Sequence, residues 1–124
     1  MAKVKQLTVS LENRPGALAG VARVLADAKV NIEALMGSTA ASQDSVQFVA
    51  DNHGKAKKAL DKAGMKYTEG TLEQFELNNK PGALAEIAEK LAKKGMNIES
   101  VCATIPKGAK KAVLLVAVSQ QSGS

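Results

Sequence analysis

Polar and apolar residues alternate with two different periods along the chain, and the period changes where proline and glycine fall. Val4, Leu7, Val9 and Leu11 alternate imperfectly with polar neighbours, which predicts a strand over residues 4–11. Pro15 and Gly16 then open a helical stripe of Ala17, Leu18, Val21, Val24, Leu25 and Ala28. Proline sits in its first turn, where the missing N–H does no harm. Val30, Ile32, Ala34 and Met36 return to period two and predict a second strand, and residues 37–44 (GSTAASQD) read as a turn. A third strand over residues 45–50 points Val46, Phe48 and Ala50 one way. Asp51 and Asn52 mark a helix start, residues 55–64 (KAKKALDKAG) have the composition of a helix ended by glycine, and a fourth strand begins near Met65. The order is that of an α+β, ferredoxin-like βαββαβ fold, with an antiparallel sheet and both helices on one face.

The pattern is written twice. Residues 13–18 read NRPGAL and residues 79–84 read NKPGAL. With the same offset Val9 falls on Phe75, Leu11 on Leu77, Val21 on Ile87, Leu25 on Leu91, Phe48 on Leu114 and Ala50 on Val116. Asn31-Ile32-Glu33 falls on Asn97-Ile98-Glu99, while surface positions drift, as in Arg23 against Glu89. Core positions keep their character, so the chain is a tandem repeat of one module. The expected division is a βαββαβ module over residues 1–72, a βαββ module over 73–119 and a disordered tail over 120–124. The second copy has only SQQSGS where its last helix and strand would fall. Helix 81–94 is therefore expected to lack its companion, and one sheet edge to lack its covering strand. The third strand of this copy, KAVLLVAV over residues 111–118, is apolar on both faces, placing Val113 and Leu115 away from the helix. An open edge invites pairing with another chain. A homodimer or larger assembly is the expectation. Lys29 falls on Gly95, so the first helix ends without the residue best suited to a left-handed cap.

Composition narrows the chemistry. Phe48, Phe75 and Tyr67 are the only aromatics, so the core is built from aliphatic residues. A single cysteine, Cys102, excludes an intrachain disulfide and fits a reducing cytoplasm. The basic start turns polar too soon for a signal peptide, and the longest apolar run, 112–118, is far short of the roughly 20 residues a membrane helix needs. The net charge of +5 is spread over three lysine-bearing stretches, which reads as a solvated surface and not as a nucleic-acid footprint. His53 stands alone, so no metal site can be argued, no cofactor is implied, and a surface role is expected for it. Cys102 falls on Met36 in the repeat, where a packing thiol is expected.

The repeated hexapeptide sits where a strand ends and a helix begins. The first helical N–H groups, at Gly16, Ala17 and Leu18, lack partners within the helix and lie at its positive dipole end, which attracts a carboxylate. Asn13 and Asn79 each bring an amide that both donates and accepts, so an α-amino acid suits the set. Pro-Gly is also a common helix opener, and an Asn before it can serve only to tie the loop. Both readings stand at this level.

The strand, N-x-P-G-A-L, a Leu/Ala-spaced helix and then V-N-I or M-N-I opening the next strand together resemble the ACT domain family, over residues 4–118. That resemblance implies a regulatory module that binds an amino acid, the strand-to-helix loop holding it and the second-strand opener of a neighbouring module closing the pocket. Carried onto this sequence, the implied ligand-binding residues are Asn13, Arg14, Pro15, Gly16, Ala17 and Leu18 with Asn31 and Ile32. The second copy adds Asn79, Lys80, Pro81, Gly82, Ala83 and Leu84 with Asn97 and Ile98. Serine-binding members place a histidine two residues before the loop Asn. Here those positions are Leu11 and Leu77, which implies an apolar amino acid. The resemblance also admits a regulatory subunit docking on an amino-acid biosynthetic enzyme. An acylphosphatase-like hydrolase would use Arg14 for phosphate, but the loop is short and Lys80 replaces it in the second copy. An RNA-recognition module would need sheet aromatics that are almost absent.

Overall fold

A computed structural model describes residues 2–12, 14–40 and 43–120. The elements run β1 (Ala2–Leu11), α1 (Ala17–Asp27), β2 (Ile32–Ala40), β3 (Gln43–Ala50), α2 (His53–Lys62), β4 (Tyr67–Asn78), α3 (Ala83–Lys93), β5 (Met96–Thr104) and β6 (Lys111–Gln120). The chain divides into two compact units, Lys5–Gly70 and Thr71–Ser124, the latter taking in Met1–Val4 as well.

The first unit has the strand order β2-β3-β1-β4, the ferredoxin-like arrangement read from the sequence. β3 pairs antiparallel with β1, Leu7 opposite Phe48 and Leu11 opposite Asp44, and with β2 on its other side. Leu7, Val9, Val46 and Phe48 face the helices, which return Val21 and Leu25 from α1 and Ala56 and Leu60 from α2. Burying the Val, Leu and Phe side chains among these stabilises by about 1.5–3 kcal/mol each. The lysines of α2 at positions 55, 58 and 62 stay exposed, as a solvated face requires. Asn52 caps α2, its Oδ1 accepting from the Lys55 N–H at 3.1 Å.

Three local expectations are corrected. Leu18 belongs to the apolar run by spacing but is 48% exposed, because the stripe that packs turns through Val21 and Leu25. The supposed turn 37–44 is mostly strand, since β2 runs to Ala40 and β3 begins at Gln43. Cross-strand pairs such as Gly37 opposite Val46 extend the ladder through small, turn-favouring residues. Finally, α1 begins at Ala17, and Gly16 precedes it as a left-handed N-cap (φ 88°, ψ −11°).

All three helices end on a residue at positive φ: Lys29 (61°), Gly64 (71°) and Gly95 (73°). In α1 the Lys29 N–H donates to Ala26 O and the Val30 N–H to Leu25 O, both at 2.9 Å. That is a Schellman motif built on a lysine, with Val30 and Leu25 both in the core.

In the second unit the order is β4-β6-β5, with β6 antiparallel to both neighbours. Its core is Phe75, Leu77, Ala83, Leu91, Ala112, Leu114 and Val116, of which Phe75, Leu91, Ala112 and Leu114 stand at the repeat positions of Val9, Leu25, Val46 and Phe48. The edge expected to stand open is occupied: β1 adjoins β4, and the first residues of β1 belong to this unit. Leu115, on the face away from α3, is 8% exposed, while Val113 is 37% exposed. Neither the β4 edge nor Leu115 therefore calls for a partner chain. Gln120 closes β6, and the remainder of the supposed tail, 121–124, lies outside the described residues.

Candidate functional site

The glycine steps of the two loops agree to within a few degrees. Gly16 and Gly82 adopt φ 88°, ψ −11° and φ 90°, ψ −14°. The N–H before each proline turns back two residues, Arg14 to Glu12 O and Lys80 to Asn78 O, both at 2.9 Å. The Ala17 and Ala83 N–H groups then donate to Arg14 O and Lys80 O at 3.3 Å. Proline holds the approach and glycine supplies the left-handed step, which side chains adopt only at a cost. One N–H predicted to be free, that of Ala17, is thus spent within the loop. A Cβ placed on either glycine would meet nothing within 4 Å, so backbone conformation and not crowding demands the residue.

What surrounds the loops differs. Beside the first lies a cavity of ≈ 400 Å³ lined by Val9, Ser10, Leu11, Glu12, Arg14, Ala17, Val21, Gly64, Met65 and Lys66. Its floor is the end of β1, one wall is the start of α1, and the other wall is the turn between α2 and β4. Val9, Leu11, Val21 and Met65 make it apolar inside, and Glu12, Arg14 and Lys66 charge its rim. Arg14 Nε donates to Glu12 Oε2 at 2.7 Å with both side chains exposed, a pair worth little to stability. A volume of this order suits a small molecule.

In the second copy Asn79 is committed to structure. Its Nδ2 donates to Ala109 O at 2.9 Å and its N–H to Lys110 O at 2.8 Å, tying the loop to the β5–β6 connection. Ala83 is buried in the core, whereas Lys80, Pro81, Gly82 and Leu84 are exposed.

Of the residues expected at the first site, Arg14 and Ala17 line the cavity, while Pro15, Gly16 and Leu18 are exposed beside it. Asn13 lies outside the described residues. Asn31 and Ile32 are not brought there. Register places Leu11 opposite Asp44 and Ile32 opposite Ala50, at opposite ends of β3. At about 3.3 Å per residue the separation is about 20 Å. Asn31 is tied by its own N–H to Asp51 Oδ1 at 3.0 Å, and Ile32 packs against the core. Asn97 and Ile98 are likewise at the far end of their sheet, with Asn97 opposite Ser119 and Asn78 opposite Lys111. Gly64, Met65 and Lys66 were not foreseen. Their only signal is a glycine that ends α2 and turns the chain back beside β1.

His53 is more sheltered than a surface residue, its side chain 18% exposed. Its Nε2 lies 2.7 Å from Glu69 Oε1, and Lys57 Nζ lies 3.3 Å from Glu69 Oε2. The hydrogen bond from His53, followed by that from Lys57, holds the Glu69 carboxyl below its ordinary value of 4.5. Cys102 is half-buried in β5 opposite Leu115. Among the described residues no cluster of His, Cys, Asp or Glu could hold a metal ion, and no helix is long and apolar enough to cross a membrane. Phe48 and Phe75 are buried and Tyr67 packs on the first core, so none offers an open ring for stacking a base.

Residues 5–62 match the family model of the ACT domain. Among solved structures, a protein of Bacteroides thetaiotaomicron is similar at a TM-score of 0.87 and 28% identity, over 95% of this chain and 81% of that one. The regulatory subunit of aspartate kinase from Thermus thermophilus is similar at a TM-score of 0.64 and 15% identity, over 94% of this chain and 87% of that one. That from Thermus flavus follows at 0.67 and 15%, over 92% and 82%. At such identities the two Thermus proteins show the shared fold alone. No curated protein matches the chain.

Proposed function

We propose that this chain is a non-catalytic regulatory protein that binds an amino acid with an apolar side chain in the cavity beside NRPGAL. The single observation that carries the reading is the cavity itself, apolar within and charged at its rim on both signs. Glu12 can face an ammonium group, Arg14 and Lys66 a carboxylate, and Leu11 and Met65 an aliphatic side chain. Leu11 stands where a polar ligand would need a polar partner, which disfavours serine. The match of residues 5–62 to the ACT domain model supports an amino-acid ligand. In this reading the NRPGAL loop is the principal site, and NKPGAL serves its own module structurally through Asn79.

The opener residues Asn31 and Ile32 sit about 20 Å from the loop of their own module, so one module cannot offer both to one ligand. If an opener closes the pocket, it comes from a neighbouring module; we place that module in a second chain and take the protein to be a cytoplasmic homodimer. A second reading, a regulatory subunit docked on an amino-acid biosynthetic enzyme, draws on the fold shared with the aspartate kinase regulatory subunits.

A thermal-shift screen of the twenty amino acids at millimolar concentration tests the proposal, because a ligand that binds only the folded state raises its melting temperature. The expected result is a rise with leucine, isoleucine, valine or methionine and none with serine. No rise with any amino acid would remove the proposal. Sedimentation at micromolar concentration tests the dimer, and a monomer mass with ligand present would exclude it.

A further inference from the structure

Lys66 lies outside the repeated hexapeptide, yet it reaches the same cavity from the opposite wall. The turn that carries it is fixed. Gly64 takes φ 71°, its N–H donates to Asp61 O and the Met65 N–H donates to Leu60 O, both at 3.0 Å. Met65 packs against the first core, so the backbone beside Lys66 is anchored on both sides of the Schellman turn. At the rim Glu12 and Arg14 neutralise each other at 2.7 Å. Among the described residues Lys66 has no ion-pair or hydrogen-bond partner, which leaves one uncompensated positive charge over a cavity otherwise balanced.

A cation left without a counter-ion at the mouth of an apolar cavity raises the local concentration of anions and favours ligands that carry a negative group. We infer that Lys66 is the carboxylate anchor of the site. The ligand's carboxylate meets Lys66, its ammonium group faces the free oxygen of Glu12, and its aliphatic part lies on Val9, Leu11, Val21 and Met65. This rests on the amino-acid reading of the cavity and adds its polarity: the carboxylate lies toward the α2–β4 turn and not toward the start of α1. It also sets the ligand class. A free carboxylate is required, so the amide of the same amino acid is rejected. The second copy contributes no such lysine among the described residues, which makes the anchor a property of the first loop only.

The test uses the full chain and four probes, L-leucine, L-isoleucine, L-valine and L-methionine, each paired with its carboxamide. Affinities are measured by titration calorimetry for the wild type, Lys66→Met and Lys66→Arg. Lys66 is exposed, so both variants are expected to melt as the wild type does without ligand, which is checked first. A hydrogen bond to a charged group is among the stronger ones, so Lys66→Met should weaken the preferred acid at least tenfold. Lys66→Arg should restore most of the loss, and the carboxamide should bind the wild type at least tenfold more weakly than the acid. Unchanged affinity in Lys66→Met, or equal binding of acid and amide, would overturn the anchor while leaving the amino-acid reading intact. Failure of all four acids to bind the wild type would overturn both.

Discussion

Replacing Gly16 with alanine is the sharpest probe of how the two loops are built, because the chain contains its own controls. Gly16 and Gly82 hold nearly the same left-handed conformation, and a Cβ on either meets nothing within 4 Å. The cost of alanine is therefore backbone strain alone. An L-residue in that region costs about 1–2 kcal/mol, and the loss of glycine's freedom in the unfolded chain returns about 0.4–1 kcal/mol. Gly16→Ala and Gly82→Ala should each destabilise by about 1 kcal/mol, equal between copies to within about 0.5 kcal/mol. Gly20, four residues further on, lies inside α1 with nothing within 4 Å of an added methyl group and no positive φ. There the same substitution should stabilise by about 0.8–1 kcal/mol, the difference in helix propensity. Urea titration followed by far-ultraviolet circular dichroism gives the three values, and a 1 kcal/mol change moves the melting temperature by about 3–5 °C in a chain of this size. Equal signs at positions 16 and 20 would refute the conformational argument. A loss above about 3 kcal/mol at either loop glycine would mean a clash that the open space around it does not contain.

Lys29→Gly should stabilise by about 0.5–1 kcal/mol in the same titration, since the Schellman cap of α1 already places that residue at φ 61°. No gain would mean that the lysine side chain contributes something the cap geometry does not show. Glu69 predicts a pH effect with a definite sign. Its carboxyl is held below 4.5 in the folded chain by His53 and then Lys57, so its contribution is complete above 4.5 and fades as pH falls through the lowered folded value. Compared with Glu69→Gln, the wild type should lose stability more steeply below pH 4.5, and parallel curves there would exclude the interaction. Asn79→Ala removes the bond to Ala109 O and should cost about 1 kcal/mol, with faster amide exchange in the β5–β6 connection as the local readout. Unaltered exchange at Ala109–Lys111 would show that the tie is not formed in solution.

Much of the fold could be read from residue periods because the core is simple. Val9 and Phe75, Leu25 and Leu91, Phe48 and Leu114 are buried at matching positions, and each copy was legible from its alternation. Helix starts at Asn52 and at the two Pro-Gly steps followed from cap chemistry. The misses have physical causes. GSTAASQD looks like a turn because small polar residues are tolerated in turns, but cross-strand pairing with neighbours such as Val46 overrides that preference. Leu18 and Leu84 fit an apolar stripe by spacing, yet both stand at the first turn of their helices, beyond the reach of the sheet. The edge of β4 looked open because its cover comes from β1, which no local pattern couples to it. At the site, the motif marked Arg14 and Ala17, whereas the opposite wall of Gly64, Met65 and Lys66 is assembled only by folding. Asn31 and Ile32 were drawn in by family pattern, and their place at the far end of the sheet follows from strand register.

The central claim is that an apolar amino acid occupies the cavity at the first loop. An amide chemical-shift titration of the full chain with L-leucine, L-isoleucine, L-valine and L-methionine tests it residue by residue. The account predicts that one of them moves the resonances of Ser10, Leu11, Arg14, Ala17, Met65 and Lys66, saturably, while those around Gly82 and Ala83 stay still. Saturable shifts centred on Gly82, or on the separate cleft of ≈ 310 Å³ lined by Asp27, Ala59 and Lys62 between α1 and α2, would contradict it, as would no shift with any of the four.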